Sequence, residues 1–197
     1  MMSEKNIFKA AVFDMDGTLT VPNIDFMAMR KALELPEEGD IASMILQMPA
    51  EQQKKAWRTV KQIEEESARQ NRLQPDAKTV LQNLKNHGVK IAVLSRNTTD
   101  NIKTFCKTFA LEFDCILGRD FPTMKPDPAP LLHILSILRV APKDAIMVGD
   151  YIHDLECGAA AGASSCFFAN PDLTDYAGSA DYTVSSYKEL EKIILCL

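Results

Sequence analysis

Ala11-Val12-Phe13-Asp14-Met15-Asp16-Gly17-Thr18 is the stretch on which the reading of this chain turns. A short apolar run ends in two carboxylates one residue apart, and a glycine and a hydroxyl follow at once. Side chains alternate faces along a strand, but where the strand ends the backbone can turn and bring both carboxylates to one pocket. Carboxylates held that close repel, so the site calls for a cation or a shared proton. A divalent ion with oxygen ligands answers that need, and a phosphate-handling site is the first reading.

Working outward, three more groups follow in order. Val93-Leu94-Ser95-Arg96-Asn97 ends a second apolar run with a hydroxyl. Met124-Lys125-Pro126-Asp127-Pro128 places one lysine in a proline-fixed segment. Ile146 to Asp154 ends a third apolar run with Gly149, Asp150 and, four residues on, Asp154. Each lies where a strand is expected to stop, and in open α/β sheets ligands bind just beyond the carboxyl ends of the strands.

This set resembles the haloacid dehalogenase-like hydrolase superfamily, in its phosphatase branch with a small helical cap. The first family motif looks like Asp14-Met15-Asp16-Gly17-Thr18. The second is matched by Ser95, the third by Lys125, and the fourth, Gly-Asp-x-x-x-Asp, by Gly149, Asp150 and Asp154. One motif is a weak signal; four in order, each after a strand or in a fixed loop, are a strong one. The likeness runs from about Phe8 to Cys166 and is interrupted by Val21 to Gln74.

The resemblance implies a Mg²⁺-dependent phosphomonoesterase. Asp14 is then the nucleophile that forms an aspartyl-phosphate, and Asp16 the general acid and base. Asp14 and Asp150 bind the metal through carboxylates and Asp16 through its backbone carbonyl, while Asp154 supports from behind by holding a metal water or Lys125. Ser95 and Lys125 meet the phosphate, with Thr18 and Arg96 also in the substrate-binding set. Thr18 is expected to brace the turn by a hydroxyl hydrogen bond and Gly17 to supply a backbone angle closed to other residues. Arg96 follows the phosphate hydroxyl and suits a second anionic group on the substrate. Arg119 reads as a surface partner of Asp120, and His153 as a solvated or packing residue.

Composition bounds the partners. The chain has 197 residues and a net charge of −5. That charge argues against a nucleic-acid surface, which needs a basic face. The five cysteines form no C-x-x-C pair, and their odd number argues against a disulfide framework. A reducing cytoplasm is the expected compartment. Met1 to Lys9 lacks a signal-peptide run, and no stretch approaches a membrane span. The expected partner is a small phosphorylated metabolite, with no nucleic acid and no membrane, and with oligomeric state left open.

Strand and helix patterns alternate outside the interruption. Strands are expected at Phe8–Phe13, Val89–Leu94, Phe113–Leu117, Ala145–Val148, Ser165–Ala169 and Tyr182–Val184. Helices are expected at Asp76–His87, from Thr98 or Thr99 to Phe109, and at Pro128–Leu138, Ile152–Ala161 and Tyr187–Leu195. Asp76 is read as the cap of the first of these helices and Gly88 as its stop. This is an α/β chain: a Rossmann-like parallel sheet with helices on both faces.

Residues 1–20 and 75–197 form the catalytic core in this reading, and 21–74 a small inserted helical cap. Within the cap, Asp25–Leu35, Ile41–Met48 and Glu51–Gln70 read as helices. Met27, Met29, Met44 and Met48 are assigned to its core, with Trp57 as anchor, and hinges are expected near Thr20–Asn23 and Leu73–Pro75. Phosphomutase and 2-haloacid dehalogenase activity on the same fold, or a non-catalytic binding role, are the alternatives. Asp16 and Asp154 favour phosphate chemistry over dehalogenation, and the short cap favours hydrolysis over transfer.

Overall fold

The computed structural model describes residues 8–170 and 176–197. Most of the N-terminal lead-in read from the sequence, residues 1–7, lies outside them.

The apolar runs become six strands: β1 Ala10–Phe13, β2 Lys90–Leu94, β3 Cys115–Leu117, β4 Ala145–Gly149, β5 Ser164–Phe168 and β6 Tyr182–Val184. All neighbours are parallel, in the order β3-β2-β1-β4-β5-β6. Three strands that carry no polar alternation explain the parallel pairing. β1, β2 and β4 are buried on both faces apart from Lys90 at one end, as a sheet sandwiched between helix layers requires.

Alternate residues serve the two layers. Ala11, Phe13, Ile91, Val93, Ile146 and Val148 face one core, shared with α4 (Ala77–Asn86), α5 (Thr99–Phe109) and α8 (Tyr187–Leu195). Ala10, Val12, Ala92, Leu94, Ala145 and Met147 face the other, packed by α6 (Ala129–Leu138) and α7 (Ile152–Ala161). The α/β reading is therefore correct, with the bounds of the strands and of the helices packed on the sheet shifted by only one or two residues.

One local expectation fails. Asp76 does not cap α4 with its side chain; it sits at φ +62° and its carboxylate pairs instead with Lys188 at 3.2 Å. A capping residue needs extended backbone to aim its side chain at the first-turn N–H groups, and the left-handed conformation of Asp76 does not supply it. Gly88, at φ +79°, does end the helix. Thr98 caps α5 by accepting from the Asn101 N–H.

The chain divides into two compact units, 1–22 with 72–197, and 23–71. The second unit holds α1 Phe26–Ala32, α2 Ile41–Leu46 and α3 Ala50–Ala68. Asp25 and Asp40 cap α1 and α2 through the N–H groups of Ala28 and Ser43. Its core is Met29, Ile45, Ala56 and Val60, with Met48, Trp57 and Ile63 packed against it.

Two assignments within this unit need correcting. α1 stops at Ala32, short of Leu35: Glu34 takes a left-handed φ of +55°, the Leu35 N–H returns to Arg30 O, and the Arg30 guanidinium reaches forward to the carbonyls of Pro36, Glu38 and Gly39. Met27 is 59% exposed and outside the core. Its neighbour two residues on, Met29, takes the inward position that the helical period allows.

The two connections between the units are joined to each other. Val21 N–H donates to Arg72 O and Gln74 N–H to Leu19 O, each at 2.9 Å.

Candidate active site

The sheet order places the site. The chain builds outward from β1 in one direction through β2 and β3, and from β4 in the other through β5 and β6. The carboxyl ends of β1 and β4 thus flank the point where the winding reverses, the natural crevice of such a sheet. Asp14 leaves the end of β1 and Asp150 the end of β4. The Asp14 N–H still reaches Val148 O at 2.9 Å, so the ladder carries the carboxylate to its place.

Lys125 is the hub. Its Nζ donates to Asp14 Oδ1 at 2.6 Å, to Asp154 Oδ1 at 2.5 Å and to Leu94 O at 2.8 Å. All three ammonium protons are therefore used, and the side chain is buried. Burial works to discharge it, but the two carboxylates outweigh burial and hold it charged above its ordinary range.

Asp14, Asp150 and Asp154 form a buried trio, with one oxygen of each within 4.8 Å of the others. Burial, then the charges of Asp14 and Asp154, raise Asp150 well above the ordinary carboxylate range. Burial pushes Asp154 up to about 6 despite Lys125 beside it. Three carboxylates against one ammonium leave an excess of negative charge in a dry place. A hard divalent cation with oxygen ligands fits that donor set.

Each carboxylate is held from outside. Asp154 is the third residue of α7, and its Oδ2 accepts the Tyr151 N–H at 3.2 Å while its Oδ1 takes Lys125. A Cβ on Gly149 would lie 2.2 Å from the Asp154 Cβ and Cγ, so only glycine leaves room for this carboxylate. Gly149→Ala is accordingly expected to keep the helical circular-dichroism signal and lower turnover by about 10²-fold, the cost of misplacing a reacting group by about an ångström. Wild-type kinetics in G149A would refute this packing argument.

Thr18 is completely buried, and its hydroxyl donates to Asp150 Oδ1 at 3.1 Å. This corrects its expected place as the brace of the turn: the hydroxyl is engaged by a carboxylate instead. The turn is braced by Thr20, whose Oγ1 accepts the Gly17 N–H at 3.2 Å and donates to Met15 O at 3.3 Å. Gly17, at φ +87°, has the expected angle, and a Cβ there would strike Asp150 Oδ2.

Asp16 is half-buried, and its carboxylate stands apart from the trio. Asn97 Nδ2 donates to Asp16 Oδ2 at 3.2 Å. Asn97 is itself fixed: its Oδ1 accepts from Thr98 N and Asn101 Nδ2, both at 2.8 Å, and its N–H donates to Ser95 Oγ at 3.0 Å. Ser95 is buried at the end of β2, and its O–H remains to donate.

Arg96 Nη1 lies 2.6 Å from His153 Nδ1, which gives His153 a contact that the sequence reading lacked. Arg119 Nη1 donates to Arg96 O at 3.1 Å, and Asp120 accepts the Thr99 N–H at 2.7 Å. Arg119 thus serves the loop beside the site as well as the surface.

Several supports escaped sequence reading. Asn170 Nδ2 donates to Gly17 O at 2.8 Å, Gln74 Nε2 to the same carbonyl at 3.3 Å, and Tyr187 O–H to Thr18 O at 3.1 Å. Only Asn97 left a usable signal, an amide two residues beyond the motif serine.

No helix among the described residues is long and apolar enough to cross a membrane. The five cysteines are free thiols.

Known proteins resemble this chain in sequence and in fold. A haloacid dehalogenase-like hydrolase domain-containing protein of Arabidopsis thaliana is 35% identical, covering 92% of this chain and 78% of its own. A hydrolase of Saccharomyces cerevisiae is 34% identical over 94% of this chain and 90% of its own. The crystal structure of a predicted phosphoglycolate phosphatase from Haemophilus somnus superposes with a TM-score of 0.74 at 23% identity, over 98% of this chain and 99% of that one, and so shares the fold. The model of the family described as haloacid dehalogenase-like hydrolase matches residues 11–168, a span that takes in all four motifs. The chain belongs to the haloacid dehalogenase-like hydrolase family.

Proposed function

We propose that this protein is a Mg²⁺-dependent phosphomonoester hydrolase acting on a small phosphorylated metabolite in the cytoplasm. The observation that carries the reading is the buried set of Asp14, Asp150 and Asp154 around Lys125, at the carboxyl ends of β1 and β4. Phosphoglycolate phosphatases among the relatives, such as one from Haemophilus influenzae 27% identical over 80% of this chain, point the same way.

Asp14 attacks phosphorus, and the bond from phosphorus to the ester oxygen breaks. Asp16, protonated, gives its proton to the departing oxygen. Water then attacks the aspartyl-phosphate; Asp16 takes one of its protons, inorganic phosphate leaves and the Asp14 carboxylate returns. Lys125 holds Asp14 in line and offsets charge on the phosphoryl oxygens, and Ser95 donates to one of them. Asn97 aims Asp16. Asp14 and Asp150, with the Asp16 carbonyl, are the residues that would hold Mg²⁺, which when bound would neutralise charge shared by nucleophile and phosphate. The inserted helical segment, residues 21–74, is read as the cap of this enzyme.

The direct test is hydrolysis of p-nitrophenyl phosphate with Mg²⁺. Turnover silenced by EDTA and restored by Mg²⁺ is expected; full activity in chelator would sink the metal assignment. A second readout needs no turnover. Raised carboxylate pKa values mean that the folded protein holds protons which the unfolded chain has lost. Without metal, stability therefore falls as pH rises from the ordinary value of 3.8 through about 6 at Asp154. Mg²⁺ binds the deprotonated form, so its stabilisation in thermal melts should be larger at pH 7.5, above that window, than at pH 5, within it. An equal or absent shift counts against a metal held by Asp14 and Asp150.

A further inference from the structure

β2 and β4 are the two neighbours of β1, so about 10 Å of sheet separates them. Yet the loop after β2 and the start of α7, which follows β4, touch through Arg96 Nη1 and His153 Nδ1 at 2.6 Å. A contact that spans two strand spacings passes over the carboxyl end of the strand between them. Asp14 and Asp16 leave β1 at that end.

The chemistry of the contact is constrained. Arginine has five N–H donors, no acceptor and a charge it does not lose. His153 Nδ1 therefore meets Nη1 with its lone pair, which puts the ring proton of the neutral imidazole on Nε2, a donor. The pair is thus built of donors.

It is also braced. The Tyr151 ring meets His153 edge-on at 4.9 Å, Tyr176 meets Tyr151 at 5.4 Å, and Phe167 of β5 meets Tyr176 at 5.9 Å. Arg119 holds the Arg96 carbonyl.

In the reaction above, Lys125, Ser95 and the cation already meet the transferred phosphoryl group. Asn97, the residue after Arg96, holds Asp16, which protonates the departing oxygen. Arg96 is therefore placed on the leaving-group side. We infer that Arg96 and His153 form a second anion subsite, which selects phosphomonoesters whose alcohol part carries a carboxylate or a second phosphate near the ester oxygen. This rests on the phosphomonoesterase reading. It puts part of the substrate choice in the loops of the sheet-bearing unit, because a guanidinium fork matches either oxyanion through two parallel hydrogen bonds.

The test compares kcat/KM for three esters of one length: 2-phosphoglycolate, ethylene glycol bisphosphate and 2-hydroxyethyl phosphate. One of the two anionic esters should exceed the hydroxyl ester by about tenfold or more, the worth of a charge-assisted contact, and which one does tells carboxylate from phosphate. Arg96→Met, which keeps the aliphatic stem, should remove most of that preference, chiefly through KM. Arg96→Lys should recover part of it, since it restores the charge without the fork. Equal kcat/KM for all three esters in the wild type overturns the subsite and leaves the phosphatase reading standing. So does R96M lowering all three by one factor, because Arg96 would then serve the phosphate common to them. Turnover of none of the three, nor of p-nitrophenyl phosphate, overturns the phosphatase reading and the subsite with it.

Discussion

Asp14→Asn is expected to abolish turnover and leave the protein folded. The amide keeps the size of the carboxylate, and its oxygen still accepts from Lys125, which now donates to Asp14 at 2.6 Å. It lacks the anion that attacks phosphorus, so kcat should fall by at least about 10³-fold, equivalent to about 4 kcal/mol of barrier. Stability should move the other way. The Asp14 charge is one of the causes that raise Asp150 and Asp154, so removing it relieves a buried repulsion. In EDTA at neutral pH, D14N should melt at or above the wild-type temperature. A folded D14N with near-wild-type turnover removes the covalent mechanism. A D14N that unfolds in EDTA shows that Asp14 stabilises Lys125 more than it crowds Asp150.

Lys125→Met carries the second large effect, and it falls on stability and activity together. The methionine fills similar space but leaves three buried carboxylates without the ammonium that two of them contact. Breaking a buried pair from one side costs about 3–5 kcal/mol, or a drop in Tm of about 6–20 °C for a chain of this size. The sign of the pH dependence follows from the raised lysine. Its contribution is complete below the ordinary value of 10.5 and is lost only as pH rises through the higher folded value. The loss in K125M is therefore expected at its full size at pH 7. Mg²⁺ should recover part of the stability, because it restores positive charge among the same oxygens, and should not recover turnover. A melting temperature for K125M in EDTA within about 1 °C of the wild type would show that the carboxylates are protonated and need no cation.

The legible part of the site is the part that sits on a strand end. Asp14, Ser95 and Asp150 each follow an apolar run, and the residue type at such a place is a local property of the sequence. Lys125 was legible through its proline-fixed segment. Local rules failed where a distant group had the stronger claim. Thr18 reads as a turn hydroxyl, but it donates to Asp150, 132 residues away, and Thr20 braces the turn in its place. Asp76 reads as a helix cap, but it takes a left-handed backbone and its carboxylate pairs with the distant Lys188. His153 reads as a bystander until β2 and β4 are known to flank β1.

By itself, the sequence determined the alternation of strands and helices, the inserted helical segment and the types of group at the strand ends. Burial and periodicity act over a few residues, and patterns of that length survive in a linear reading. Tertiary structure alone decided which groups meet. The winding order around β1 and β4 puts Asp150 beside Asp14 and leads Asp154 to Lys125. It also brings Tyr187, 169 residues along the chain, to the carbonyl of Thr18, and Asn170 to that of Gly17. Those contacts depend on the path of the whole chain, and no spacing within the sequence encodes a path.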